Sequence, residues 1–81
     1  MTLETLKDAM KVIGVKQVTK SVNKDSAMCV FLADDADERV LMPLKALCES
    51  KQVAIVKVET MAEIGKACLI EVGAAAAAIL K

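Results

Sequence analysis

The sequence predicts one α/β domain, and three observations predict it. Apolar residues recur at helical spacing in four segments. Two short runs, Met28 to Ala33 and Val53 to Val58, are apolar nearly throughout, as expected of strands covered on both faces. The two kinds of segment alternate, which argues for a largely parallel sheet with helices on both sides. Eighty-one residues leave no room for a second core, so residues 1–81 are read as a single domain. Phe31 is the only aromatic residue, and an aliphatic interior suits packed α/β layers better than an aromatic-rich β-sandwich.

In chain order, Leu3, Leu6, Met10 and Ile13 form one apolar stripe, predicting a first helix with Thr2 as N-cap and Gly14 as stop. A shorter helix follows from about Lys16 to Asn23, with Val18 and Val22 inward and Lys16, Gln17, Lys20 and Lys24 outward. After the first strand, Asp34, Asp35 and Asp37 mark a loop and helix cap. Val40, Leu41, Leu44, Leu47 and Cys48 then give a third stripe, with a first turn before Pro43 and the regular helix after it. Beyond the second strand, Thr60 and Glu63 have the spacing of a capping box, predicting a fourth helix that ends near Cys68. Residues 69–73 read as a loop with exposed or half-exposed apolar side chains. The alanine-rich run Ala74 to Leu80 favours helix by propensity but is assigned here as a strand after a short turn.

Most chemistry is excluded by what the chain lacks. Without histidine, the usual general base and metal ligand is missing. Cys29, Cys48 and Cys68 are odd in number and form no C-x-x-C pair, so buried reduced thiols are expected, implying a reducing compartment. Three glycines cannot build a phosphate-cradling loop of the usual spacings. The acidic residues at 34–38 lack the glycine and distal glutamate of a calcium loop and read as helix caps. Met1 is followed by polar residues, and the longest apolar run, Val72 to Leu80, is far too short to span a bilayer. The expectation is a cytoplasmic, monomeric, non-enzymatic protein with no cofactor, metal, membrane or small-molecule substrate.

Charge is more informative in its distribution than in its sum. Eleven basic and eleven acidic residues cancel. Yet residues 9–24 hold Lys11, Lys16, Lys20 and Lys24 with no acid, whereas residues 25–38 hold five acids and no base. The lysines fall at a helix start just after a glycine turn, where backbone N–H groups add positive potential for phosphate. Lys16, Gln17 and Lys20 share one helix face and carry the donor groups that read guanine N7 and O6. Solvated surface lysines are the plainer reading of the same pattern.

Three blocks in order carry a resemblance. Gly14 to Lys20 (Gly-Val-Lys-Gln-Val-Thr-Lys), Phe31 to Asp37 and Ile64 to Val72 resemble the signatures of the kink-turn RNA-binding ribosomal protein family, that of the archaeal large-subunit protein L seven Ae. The match spans nearly the whole chain and is nearest the short bacterial branch. It implies a three-layer α/β/α sandwich around a four-stranded mixed sheet, and a kink-turn RNA ligand bent at tandem sheared G·A pairs, with ribosomal RNA a candidate source. It further implies that Gly14, Lys16, Gln17 and Lys20 form the RNA-reading segment. Ala67, Cys68, Leu69 and Ile70 would pack against the kink, and Asp37, Leu41 and Met61 would hold a flipped-out nucleotide. Four positions depart from the family pattern: Lys16-Gln17 stands for the usual Asn-Glu, Leu69 for a common glycine, and Met61 for a frequent basic residue. The alternative is a protein–protein module that keeps the fold without binding RNA.

Overall fold

The computed structural model describes residues 3–81, so the expected N-cap Thr2 lies outside the described residues. Eight elements follow in order: α1 (Leu3–Asp8), β1 (Lys11–Ile13), α2 (Val15–Asn23), β2 (Ala27–Ala33), α3 (Glu38–Ser50), β3 (Ala54–Val58), α4 (Met61–Ala67) and β4 (Ala76–Leu80). The sheet order is β1-β4-β2-β3. Only β2 and β3 run parallel, while β4 is antiparallel to both β1 and β2. The sheet is thus mixed and four-stranded, and the largely parallel sheet inferred from alternation alone is corrected.

The correction has two sources: β4 enters antiparallel to β2, and β1 is a strand where the apolar stripe predicts helix. The apolar stripe expected to run on to Ile13 breaks at Asp8, and Met10 is 74% exposed. Val12 and Ile13 are β-branched, and β4 offers them an unpaired edge, so Lys11 to Ile13 pair with Ile79 to Ala77. Tertiary pairing overrides a helical spacing that was coincidental.

Two cores lie on opposite faces of the sheet. Leu6, Cys29, Phe31, Ile64 and Cys68 pack on the face covered by α1 and α4. Val18, Val22, Val30, Leu32, Leu41, Leu44 and Cys48 pack beneath α2 and α3. The central strand β4 carries Ala76, Ala77 and Ala78, all fully buried, where only small side chains let helices approach from both sides. Pro43 sits inside a continuous α3 on its solvent side, so it removes a single helical N–H rather than starting the helix. The three cysteines are buried and form no disulfide, and burial pushes their thiols above the usual range.

Helices α2, α3 and α4 end in the same way. The residue after each C-cap (Asp25, Gln52 and Leu69) has φ of 58°, 59° and 64°. Each donates to a carbonyl three residues back, and the next residue donates five back, as in Leu69 N–H to Lys66 O (3.1 Å) and Ile70 N–H to Gly65 O (3.0 Å). This is the Schellman arrangement, which ordinarily takes glycine. All three are exposed, and Leu69 has no polar side chain to make the local hydrogen bonds that ease a residue such as Asp into this region. Leu69→Gly relieves about 1–2 kcal/mol of left-handed strain against roughly 0.5–1 kcal/mol of added unfolded-state entropy. A net gain of about 0.5–1 kcal/mol should appear in urea denaturation as a higher midpoint at unchanged slope.

Candidate nucleic-acid interface

The strand register brings four connections to one edge of the sheet. Ile13 pairs with Ala77, Leu32 with Ala76, and Ala33 with Val58. The ends of β1, β2 and β3 and the start of β4 therefore lie side by side, and α2, α3 and α4 all begin there. Three helix N-termini, each with a positive dipole end, converge on one edge.

Two of the three are closed. Asp37 caps α3, accepting from Arg39 N–H at 2.9 Å and from the Arg39 guanidinium at 3.0 and 3.3 Å. That pairing holds the Asp37 carboxyl below the usual carboxylate range. Helix α4 is closed by the Thr60–Glu63 capping box, and Asp35 accepts from Met61 N–H at 2.8 Å. The acidic loop is thus helix-capping machinery.

Helix α2 is open. Its N-cap is Gly14, no side chain caps it, and its first turn contains no acid. Gly14 takes φ 98°, a conformation that favours glycine, and its N–H donates to Ala76 O at 2.8 Å. This bond ties the start of α2 to the start of β4. The first-turn amides therefore have no side-chain cap. Lys16, Gln17 and Lys20 are exposed around them, while Val18 and Val22 are fully buried and fix the helix rotation.

The loop following α4 runs back along its own helix toward the same edge. A Cβ on Gly65 would overlap the Val72 carbonyl oxygen, and one on Gly73 would stand 3.0 Å from Met61 Cβ. Ala74 N–H donates to Met61 O at 3.1 Å. Glycine is needed at 65 because loop backbone occupies the space of a side chain. A glycine inside a helical stretch was the signal for this contact, although sequence reasoning did not single it out.

The structure divides the remaining expected residues. Cys68 is buried, and Ala67 and Ile70 are half-buried against the α1/α4 core, so they shape the loop from beneath. Leu69 is 66% exposed and, with Leu3, Glu4, Lys7, Glu63, Lys66 and Ala67, lines an open groove of about 450 Å³ between α1 and α4. Val72, beyond the expected set, is 71% exposed and is a second outward apolar residue of the loop. Asp37, Leu41 and Met61 all stand at this sheet edge, Asp37 and Leu41 at the start of α3 and Met61 at the start of α4. Leu41 is buried in the α2/α3 core, Met61 packs on the opposite face, and Asp37 is held by Arg39. Leu41 floors a cavity of about 200 Å³ shared with Asp34, Ala36, Glu38 and Lys45. Among the described residues no cluster could hold a metal ion, and no helix is long and apolar enough to cross a membrane.

The sequence profile described as the ribosomal protein L7Ae/L30e/S12e/Gadd45 family matches residues 2–81. The chain belongs to this family. It is 44% identical over 68 residues to an RNA-binding protein of Caldanaerobacter subterraneus, covering 84% of this chain and 83% of that one. It is 38% identical over 81 residues to the large ribosomal subunit protein eL8 of Halobacterium salinarum, covering 98% of this chain and 68% of that one. Among solved structures, the Giardia lamblia 15.5kD RNA binding protein superposes with a TM-score of 0.90 at 30% identity, covering 98% of this chain and 70% of that one. Within this L7Ae-type fold, Lys16 and Gln17 make the α2 start a set of hydrogen-bond donors with one amide acceptor and no carboxylate.

Proposed function

We propose that this chain binds RNA and stabilises a kink-turn, with the start of α2 facing the sheared G·A pairs. One observation carries the reading. Of the three helix N-termini gathered at this sheet edge, two are closed by acids and α2 is left open, flanked by Lys16 and Lys20. An open N-terminus with adjacent ammonium groups suits phosphate and guanine acceptors. The RNA-binding names of the relatives point the same way. Kinship with a large-subunit ribosomal protein makes ribosomal RNA the first ligand to test.

In this reading the protein is a monomeric cytoplasmic binder without catalysis. It holds the bent RNA more tightly than the extended form and shifts the population accordingly. The test is affinity for a kink-turn RNA against a duplex of equal length lacking the G·A pairs. The kink-turn should bind more tightly, and Gln17→Ala or Lys20→Ala should weaken it roughly 5- to 150-fold, equivalent to about 1–3 kcal/mol per base-edge contact. Equal affinity for the two RNAs overturns the proposal.

A further inference from the structure

The exposed charges of this molecule segregate beyond the α2 start. Lys16, Lys20 and Lys24 recur every four residues along one stripe of α2, and all three are exposed. Among the described residues none of them makes an ion pair, in contrast to Arg39, Lys45 and Lys51. The stripe covers about 12 Å at the helical rise of 1.5 Å per residue.

At its far end it does not stop. Lys51, at the C-cap of α3, reaches Asp25 at 3.4 Å, directly after Lys24. Lys81 N–H donates to Ser26 O at 2.9 Å, which brings a further lysine beside the same helix end. Lys24, Lys51 and Lys81 thus gather at the pole opposite the sheet edge where the RNA-reading segment lies, with Asp25 the acid paired among them. The edge on the α3 and α4 side is the reverse. Asp34, Asp35, Asp37, Glu38, Glu59 and Glu63 crowd it; Arg39 and Lys45 are paired to acids there, and the exposed Lys57 and Lys66 stand farther along β3 and α4.

We infer that one stem of the bound RNA lies along α2, its phosphates tracked from Lys16 to the Lys24–Lys51–Lys81 pole. The inference rests on the kink-turn reading for what happens at Lys16. It adds the direction in which the flanking helix leaves and three residues that no base contact requires. Evenly spaced ammonium groups on flexible stems suit a phosphate backbone, which needs charge without base-specific geometry.

The experiment uses the full chain and three RNAs: a kink-turn with minimal stems, and the same kink-turn extended by several base pairs on one stem or on the other. The slope of log affinity against log salt is measured for each, since each neutralised phosphate contributes a slope of roughly 0.7 to 0.9. Extending one stem, and only that one, should steepen the slope by about 2 to 3. A Lys24→Ala/Lys51→Ala/Lys81→Ala variant should return that RNA to the minimal slope while binding the minimal kink-turn as before. Slopes indifferent to either extension, with the triple variant silent, overturn the inference and leave the kink-turn reading intact. Preference for no kink-turn, combined with a lysine-dependent slope on plain duplex, overturns the kink-turn reading and leaves the α2 track standing. Absence of binding to every RNA overturns both.

Discussion

Gly65→Ala should lower the melting temperature by roughly 5–20 °C, as overpacking by about 1–3 kcal/mol does in a domain of this size, and should remove most of the RNA affinity with it. The added methyl group meets the Val72 carbonyl oxygen, then Val72 C at 3.0 Å and Gly73 Cα at 3.2 Å. All three are backbone atoms, so no side chain can swing aside. Nor can the loop simply lift. Gly73 is pressed on Met61, and Ala74 N–H is bonded to Met61 O at 3.1 Å, so displacing Val72 strains the anchor of the strand that follows. That strand, β4, pairs with both β1 and β2, and its Ala76 carbonyl receives the Gly14 N–H. A disturbance at Gly65 therefore reaches the start of α2 through three consecutive backbone contacts. Gly14→Ala provides the contrast, because a Cβ there meets nothing within 4 Å. Its cost is confined to a backbone φ of 98° that alanine adopts poorly. Thermal melts and RNA affinity measured on both variants check the argument: equal melting temperatures for Gly65→Ala and the parent would show that the loop does not press on α4.

The parts of this molecule legible in the sequence are those set by local chemistry. Val18 and Val22 lie four residues apart and both are fully buried, so the rotation of α2 and the outward face of Lys16, Gln17 and Lys20 followed from spacing. Thr60 and Glu63 form the capping box their spacing predicts. Long-range geometry was less visible. β1 is three residues long, and nothing local separates Val12 and Ile13 from the end of a helix; the free edge of β4, more than sixty residues away, decides the matter. The relative placement of Asp37, Leu41 and Met61 was hidden for a related reason. A list of residues does not say on which face of the sheet each lies, and Leu41 and Met61 lie on opposite ones. The closure of α3 and α4 by acids was half legible, since Asp37 and Thr60 are recognisable caps. The contribution of Asp35 to α4 joins residues 26 apart and required the fold.

Lys16→Glu should move stability and RNA affinity in opposite directions. The first turn of α2 contains no acid and its N-cap glycine offers no side chain, so a carboxylate there interacts favourably with the helix dipole by about 0.3–1 kcal/mol. The free protein should melt a few degrees higher. The same change removes an ammonium group from the RNA-facing edge and places a negative charge against phosphate. Affinity should fall about 10- to 100-fold, as expected for losing one base-edge or phosphate contact and adding repulsion. The loss should shrink as salt is raised, because screening weakens an exposed like-charge pair. Acids already close α3 and α4 in this way, so the fold has the means to stabilise α2 and does not use it. A variant that gains thermal stability and keeps its RNA affinity would show that the open N-terminus serves something other than RNA. Gain in one and loss in the other would identify the missing cap of α2 as stability given up for binding.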